Sequence, residues 1–207
     1  MLLSEHRLAD RLVTNGEYLA FIEDGGYSNP ALWLADGWSL IQGEGGQHPL
    51  YWELGESGWL QFTLGGPRPL NPHEPVCHLS YYEADAYASW AGKRLPMEAE
   101  LESLLAGQPL QGNFADSELL HPAPAGDGGQ WYGDLWAWTA SPYTAYPGFK
   151  PLGGSMGEYN GKFMSSQMVL KGGCCATPAG HSRASYRNFF YPNERWAFTG
   201  LRLAEDA

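Results

Sequence analysis

Positive charge is what this sequence has least of. It carries 12 Lys and Arg against 23 Asp and Glu, a net charge of −11 at pH 7. A chain that tracks a phosphate backbone needs a basic stripe to release counterions, and none is present. The same shortage disfavours an anionic membrane surface, so neither nucleic acid nor membrane is an expected partner. Long apolar runs are missing as well, and no stretch approaches the length of a membrane span. The opening residues MLLSEHRLADRLV include Glu5, Arg7, Asp10 and Arg11 and hold no apolar signal core. Cysteine is sparse: Cys77, Cys174 and Cys175. An odd count with two adjacent thiols makes a poor disulfide framework. Buried, inert thiols in a reducing cytoplasm are the expectation.

Motifs of chemistry are missing too. Among the six histidines, His6, His48, His73, His78, His121 and His181, none pair as H-x-x-x-H, and no H-E-x-x-H occurs. His73 and His78 flank Cys77 in a proline-rich stretch and read as surface and packing residues. There is no C-x-x-C, no G-x-S-x-G and no phosphate-cradling glycine loop. No complete catalytic constellation and no metal site are expected on this chain.

What the sequence does have is rings and breakers: 9 Trp, 12 Tyr and 8 Phe beside 27 Gly and 15 Pro. With 207 residues, 43% of them hydrophobic, one domain with a sizeable core is expected. Its loops should pack on their own rings, unlike a helix bundle. Thr14 and Glu17 have capping-box spacing before a helix that Gly25-Gly26 ends. Residues 29–39 read as a short helix or turn. PLYWEL and GWLQFTL (49–64), split by Gly55 to Gly58, predict a hairpin, and 65–75 a loop. Ser80 and Glu83 cap a helix over 81–92, and a second helix runs from Met97 to Leu105. Residues 106–133 and 141–167 lack periodicity, and short strands are predicted at 168–171 and 198–203.

Several of these segments resemble one family. PVCHLSYYEADAYASWAGKRLPMEAELE (75–102), VTNGEYLAFIEDGGY (13–27), GDLWAWTASPY (133–143), GGCCATPAGHSRASYRN (172–188) and FTGLRL (198–203) are similar to formylglycine-generating-enzyme, or sulfatase-modifying-factor, domains. The resemblance spans essentially the whole chain. It implies an α+β, C-type-lectin-like fold with a small twisted antiparallel sheet, two helices and long packed loops. WLADGW (33–38), GNFADSELLHPAPA (112–125), YPGFKP (146–151), GEYNGKFMSSQMVLKGG (157–173) and YRNFFYPNERWAFTGLRLA (186–204) narrow it to the ergothioneine sulfoxide synthases.

In that branch a helical domain supplies three histidines to a non-haem iron(II), and the domain resembled here holds the substrates. The resemblance therefore implies trimethylhistidine and cysteine or γ-glutamylcysteine as substrates. It also implies iron(II) only through a helical partner domain, and a domain over 1–207 whose first strand, ahead of Val13, is cut short. Asn188 would hydrogen-bond the polar end of trimethylhistidine. Phe189 and Phe190 would offer faces to its quaternary ammonium, and Arg187 or Arg195 would pair with a carboxylate. The family's tyrosine acid falls among Tyr143, Tyr146 and Tyr186. Three departures stand out. Thr177 and Ser182 replace the copper-binding cysteines of formylglycine-generating enzymes, so copper is not expected. Asp134 and Ala137 stand at the calcium positions, which weakens that site. Leu101 replaces a Trp. The alternatives are a non-catalytic ligand- or protein-binding module on the same fold, or an incomplete fragment.

Overall fold

Both predicted capping boxes form. The computed structural model describes residues 2–207, with backbone alone at 158–160. Helix α1 (Asn15–Glu23) starts at Thr14, whose hydroxyl accepts from the Glu17 N–H while Glu17 reaches back to the Thr14 N–H at 2.9 Å. Helix α3 (Tyr81–Trp90) repeats the device with Ser80 and Glu83. Each such cap is worth about 1 kcal/mol. Helix α4 (Glu98–Leu105) has half of it: Glu100 accepts from the Met97 N–H at 2.8 Å. Between them, the stretch predicted as a short helix or turn is a 3-10 turn at Pro30–Leu32 followed by α2 (Ala35–Glu44). Helix α2 outruns the prediction because nothing breaks it until Gly45, which ends it in the left-handed region (φ 66°).

Four small sheets surround these helices. Strand β1 (His6–Leu8) pairs antiparallel with β11 (Ala204–Asp206), tying the two ends of the chain together. A short strand therefore precedes Val13, where the resemblance implied one cut short. Its partner lies at the far end of the sequence, beyond the reach of local pattern. The predicted hairpin is present as β2 (Trp52–Gly55) and β3 (Gly58–Thr63), and β4 (Gly66–Pro69) extends it to a meander. Composition made β4 a loop. Pro67 and Pro69 lack an N–H, but an edge strand with one neighbour tolerates that. Strands β5 (Gly112–Asn113) and β6 (Tyr132–Gly133) form a two-residue parallel pair.

The central sheet has the order β10-β7-β8-β9. Its members are β7 (Trp136–Pro142), β8 (Met168–Lys171), β9 (Asn188–Phe190) and β10 (Thr199–Gly200). The single strand predicted over 198–203 is only β10 and an irregular run. Leu201 and Leu203 give their carbonyls to Val13 and Ala9 instead of to a strand ladder. Gly200 is required there: a Cβ would stand 2.5 Å from Leu135 and 2.7 Å from the Val76 carbonyl. The segment 141–167, read as irregular, contains one short helix, α5 (Ser155–Gly161).

The core is largely aromatic. Tyr18 stacks on Tyr87 at 5.4 Å and meets Phe21, Tyr27 and Trp52 edge-on. Trp138 on β7 is wholly buried and donates its indole N–H to the Leu79 carbonyl at 2.9 Å. A ring buried with its polar atom satisfied contributes its full apolar area. No helix among the described residues is long and apolar enough to cross a membrane.

Candidate functional site

The edge of the central sheet carries the site. Strand β9 lies beside β8 with Asn188 opposite Leu170, Phe189 opposite Val169 and Phe190 opposite Met168. A cavity of about 660 Å³ opens against it, the size of a small-molecule pocket. Arg187, Asn188, Phe189 and Phe190 line it, and so do Tyr143 and Tyr186. Four of the five residues implied by the resemblance are thus brought together. Arg195 is not in the lining.

The walls are rings held in fixed geometry. Phe189 stacks on Tyr143 at 4.1 Å with planes 9° apart, and Phe190 meets Trp196 edge-on at 5.3 Å. The Tyr143 N–H donates to the carbonyl of Gln167, a buried lining residue, which joins the Tyr143 segment to the start of β8. Asn188 accepts from the Phe189 N–H at 2.9 Å.

Arg187 lines the cavity but its charge is committed behind it. Its guanidinium meets Glu98 at 2.7 and 3.0 Å and donates to the Thr144 carbonyl at 2.9 Å. It also lies over the Tyr143 and Tyr146 rings at 4.7 and 4.4 Å. Glu98 stands 3.9 Å from Lys171, a fully buried ammonium that pairs with Glu102 at 2.6 Å. Burial pulls the Lys171 pKa down, and Glu102 and Glu98 pull it back up. Tyr146 donates to Glu98 at 3.0 Å. Desolvation and then the Glu98 charge push its hydroxyl up to about 12. Tyr146 lies outside the lining, so of the three candidate tyrosines Tyr143 and Tyr186 face the cavity.

Arg195 turns the other way. Its guanidinium reaches the carboxylates of Glu83 at 3.2 Å and Glu44 at 3.0 Å. Glu83 is buried and also accepts from Ser80 and Tyr27. Residues that sequence reasoning missed include Gln167, Arg183, Glu194 and Trp196. The last three lie in or beside the segment already singled out, which was the available signal.

Over residues 2–132 and 129–207 the sequence matches the sulfatase-modifying factor enzyme 1-like domain. The chain belongs to this family. It is 37% identical over 220 residues to a hercynine oxygenase of Mycobacterium tuberculosis, an alignment covering 94% of this chain and 51% of that protein. It is 28% identical over 221 residues to ergothioneine biosynthesis protein 1 of Schizosaccharomyces pombe, covering 99% of this chain and 26% of that one. The chain thus spans about half the length of the first relative and less of the second. Among solved structures, Treponema denticola variable protein 1 superposes with a TM-score of 0.61 at 14% identity, covering 98% of this chain and 84% of that one. That likeness concerns the α+β, C-type-lectin-like fold alone.

The metal positions of sulfatase-modifying-factor relatives can be tested on this chain. Thr177 and Ser182 are both buried; Thr177 accepts from the Cys174 N–H at 3.0 Å, and neither offers a soft ligand for copper(I). Asp134 accepts from Asn113, Gln130 and the Ala123 N–H at 2.7, 2.9 and 2.8 Å, and Ala137 has no side-chain oxygen. Donors crowd that carboxylate where calcium would need further oxygens. An iron held by three histidines does not fit either. His78 is packed between Tyr51 and Phe198, His121 lies beside Glu74, and His48 stands against Trp59. Among the described residues no three His, Cys, Asp or Glu come together as a metal-ligand group. Cys77, Cys174 and Cys175 are free and buried, and burial pushes the Cys77 thiol up to about 12.

Proposed function

We propose that this chain is the substrate-holding half of an oxygen-dependent sulfoxide synthase of ergothioneine biosynthesis. In that role it binds trimethylhistidine while the sulfur of cysteine or γ-glutamylcysteine is joined to the imidazole. Iron(II) in this proposal belongs to a separate helical domain, because the histidines of this chain do not fit it. A cytoplasmic setting suits the three free cysteines.

One observation carries the proposal: the aromatic-walled cavity on Asn188–Phe190, in a chain whose relatives include a hercynine oxygenase and an ergothioneine biosynthesis protein. Trimethylhistidine differs from histidine by a quaternary ammonium. Such a cation cannot donate hydrogen bonds and is recognised by ring faces, at roughly 0.5–2 kcal/mol for a good contact. Phe189, Phe190, Tyr186 and Trp196 provide rings beside the Asn188 amide.

The test is calorimetric titration of the chain with trimethylhistidine and with histidine. Tighter binding of the trimethylated form, by a factor of about 2 to 30 on that energy scale, supports the proposal. Equal affinities, or none, would sink it. A second arm adds a helical iron-binding domain and looks for a trimethylhistidine-dependent sulfoxide. Binding without product in that arm would leave the chain a ligand-binding module on the same fold.

A further inference from the structure

Three arginines lie in one short segment beside the cavity, and two of them are spent. Arg187 is paired with Glu98, and Arg195 with Glu83 and Glu44. Arg183 is different. It is exposed, lines the cavity, and lies with its guanidinium 5.2 Å over the Tyr186 ring. No carboxylate among the described residues lies within ion-pair distance of it. Glu194 is its counterpart of opposite sign. It lines the same cavity, half-buried; its backbone N–H donates to the Tyr191 carbonyl, and its carboxylate has no ion pair or hydrogen bond among the described residues. Among the described residues the other ionic side chain in the lining is Arg187, already paired with Glu98. Among those residues the cavity thus presents one cation and one anion without an ion pair, set among rings.

We propose that Arg183 and Glu194 are the two charge contacts for a zwitterionic, amino-acid-like ligand, with Arg183 taking its carboxylate and Glu194 facing its cationic nitrogen. This rests on the cavity being the substrate site and adds how the substrate's two charges are told apart. The chemistry favours a zwitterion over either simple ion. A plain anion drawn to Arg183 meets the Glu194 charge, and a plain cation drawn to Glu194 meets Arg183, so each is penalised by the second group. A guanidinium also presents a planar fork that matches a carboxylate in bidentate fashion, which a lysine does not. The Tyr186 face beneath Arg183 holds that fork in place without consuming its donors. Among the described residues neither side chain has an ion pair or a side-chain hydrogen bond, so replacing either is expected to leave the fold intact.

Three probes separate the charges: trimethylhistidine, its decarboxylated counterpart with the same quaternary ammonium, and cysteine as a second zwitterion. Each is titrated calorimetrically into wild type, Arg183→Gln and Glu194→Gln, with thermal melts confirming that the variants fold. Arg183→Gln is expected to weaken trimethylhistidine about tenfold or more, the usual size of a charge-assisted contact. It should leave the decarboxylated probe unchanged or tighter. Glu194→Gln should weaken both quaternary probes by similar factors. Arg183→Lys, which keeps the charge and loses the fork, should fall between wild type and Arg183→Gln.

Equal effects of Arg183→Gln on the carboxylated and decarboxylated probes overturn the assignment of Arg183. No loss on Glu194→Gln overturns that of Glu194. If trimethylhistidine fails to bind wild type while cysteine binds with the same dependence on both residues, the substrate identity falls and the charge pair stands. If neither zwitterion binds, both fall.

Discussion

The helical core and the cavity wall are built from the same residue types and use them differently. Around α1 and α3, Tyr18, Phe21, Tyr27 and Tyr87 turn their faces and edges on one another, and the buried hydroxyls of Tyr18 and Tyr27 are claimed within the protein. Tyr18 and Tyr27 share a hydrogen bond, and Tyr27 donates to Glu83 at 2.7 Å. Burial, and next the Glu83 charge, raise both phenols far above the ordinary range. At the cavity, among the described residues, Phe189 has Tyr143 as its aromatic neighbour and Phe190 has Trp196. All three of Phe189, Phe190 and Trp196 line the open cavity, with Phe190 also packed against the core on its inner side. Arginine divides in the same way: Arg195 closes the core network, whereas Arg183 lines the cavity with no carboxylate of the described residues paired to it. A ring or a charge is structural here when its second partner lies within the chain, and available for a ligand when it does not.

That contrast is broken most severely by emptying the core. Trp138→Ala removes a wholly buried ring and one of the two hydrogen bonds to the Leu79 carbonyl, the other coming from the Thr199 hydroxyl, so a loss of about 3–5 kcal/mol is expected from denaturant unfolding. Nearly as large is Glu83→Ala. It deletes the Glu83 half of the capping box, leaving the Ser80 hydroxyl on the residue-83 N–H, and takes from Tyr27 and Arg195 the buried carboxylate they share, about 3 kcal/mol in all. A loss under 1 kcal/mol in either variant would show that the core is less committed than its geometry implies.

Much of the core was legible in the sequence because its rules are local. The spacing of Thr14 and Glu17, and of Ser80 and Glu83, places donor and acceptor within one turn, and both boxes formed. The hairpin at 52–63 was equally local. What stayed illegible depends on partners distant in the chain. Strand β1 needs β11 at the opposite end, and β4 becomes a strand only because β3 accepts a proline-bearing edge. The site follows the same rule. Arg183, Arg187 and Arg195 are indistinguishable by type and context, and what separates them is which of Glu44, Glu83 and Glu98 arrives from elsewhere. Arg187 was picked out for a substrate carboxylate, yet Glu98 on α4 already occupies it.

A pH experiment sharpens the boundary between the two regions, because His78 sits on it. Its ring is packed between Tyr51 and Phe198, and its Nδ1 lies 3.2 Å from the carbonyl of Trp196, a cavity residue. Burial holds its pKa down at about 4, against 6.5 when unfolded. Between those values the unfolded chain binds a proton that the folded chain refuses. Stability is therefore complete above pH 6.5 and is lost as pH falls through 4, by up to about 3 kcal/mol on the linkage relation. Unfolding free energies measured from pH 7 to 4 should slope downward, and His78→Phe should flatten the slope. An unchanged slope in the variant would assign it to other groups.

The smallest stability effect belongs to the wall itself. Phe190 is half-buried at the mouth and touches Trp196, so Phe190→Ala should cost only about 1 kcal/mol of folding free energy, well short of a core ring. Its consequence should appear in recognition instead. If the open ring faces serve a quaternary ammonium, the variant should narrow the preference for trimethylhistidine over histidine by a factor of about 2 to 30, the scale of one cation–π contact. Affinity for histidine should barely move. The comparison inverts for Phe21→Ala in the core, which should lower the melting temperature and leave the ligand preference of the folded fraction intact. If both variants lose stability alike and neither alters the preference, the distinction between closed and open rings has no functional content. If only Phe190→Ala changes the preference, the open faces at the sheet edge are what the ligand reads.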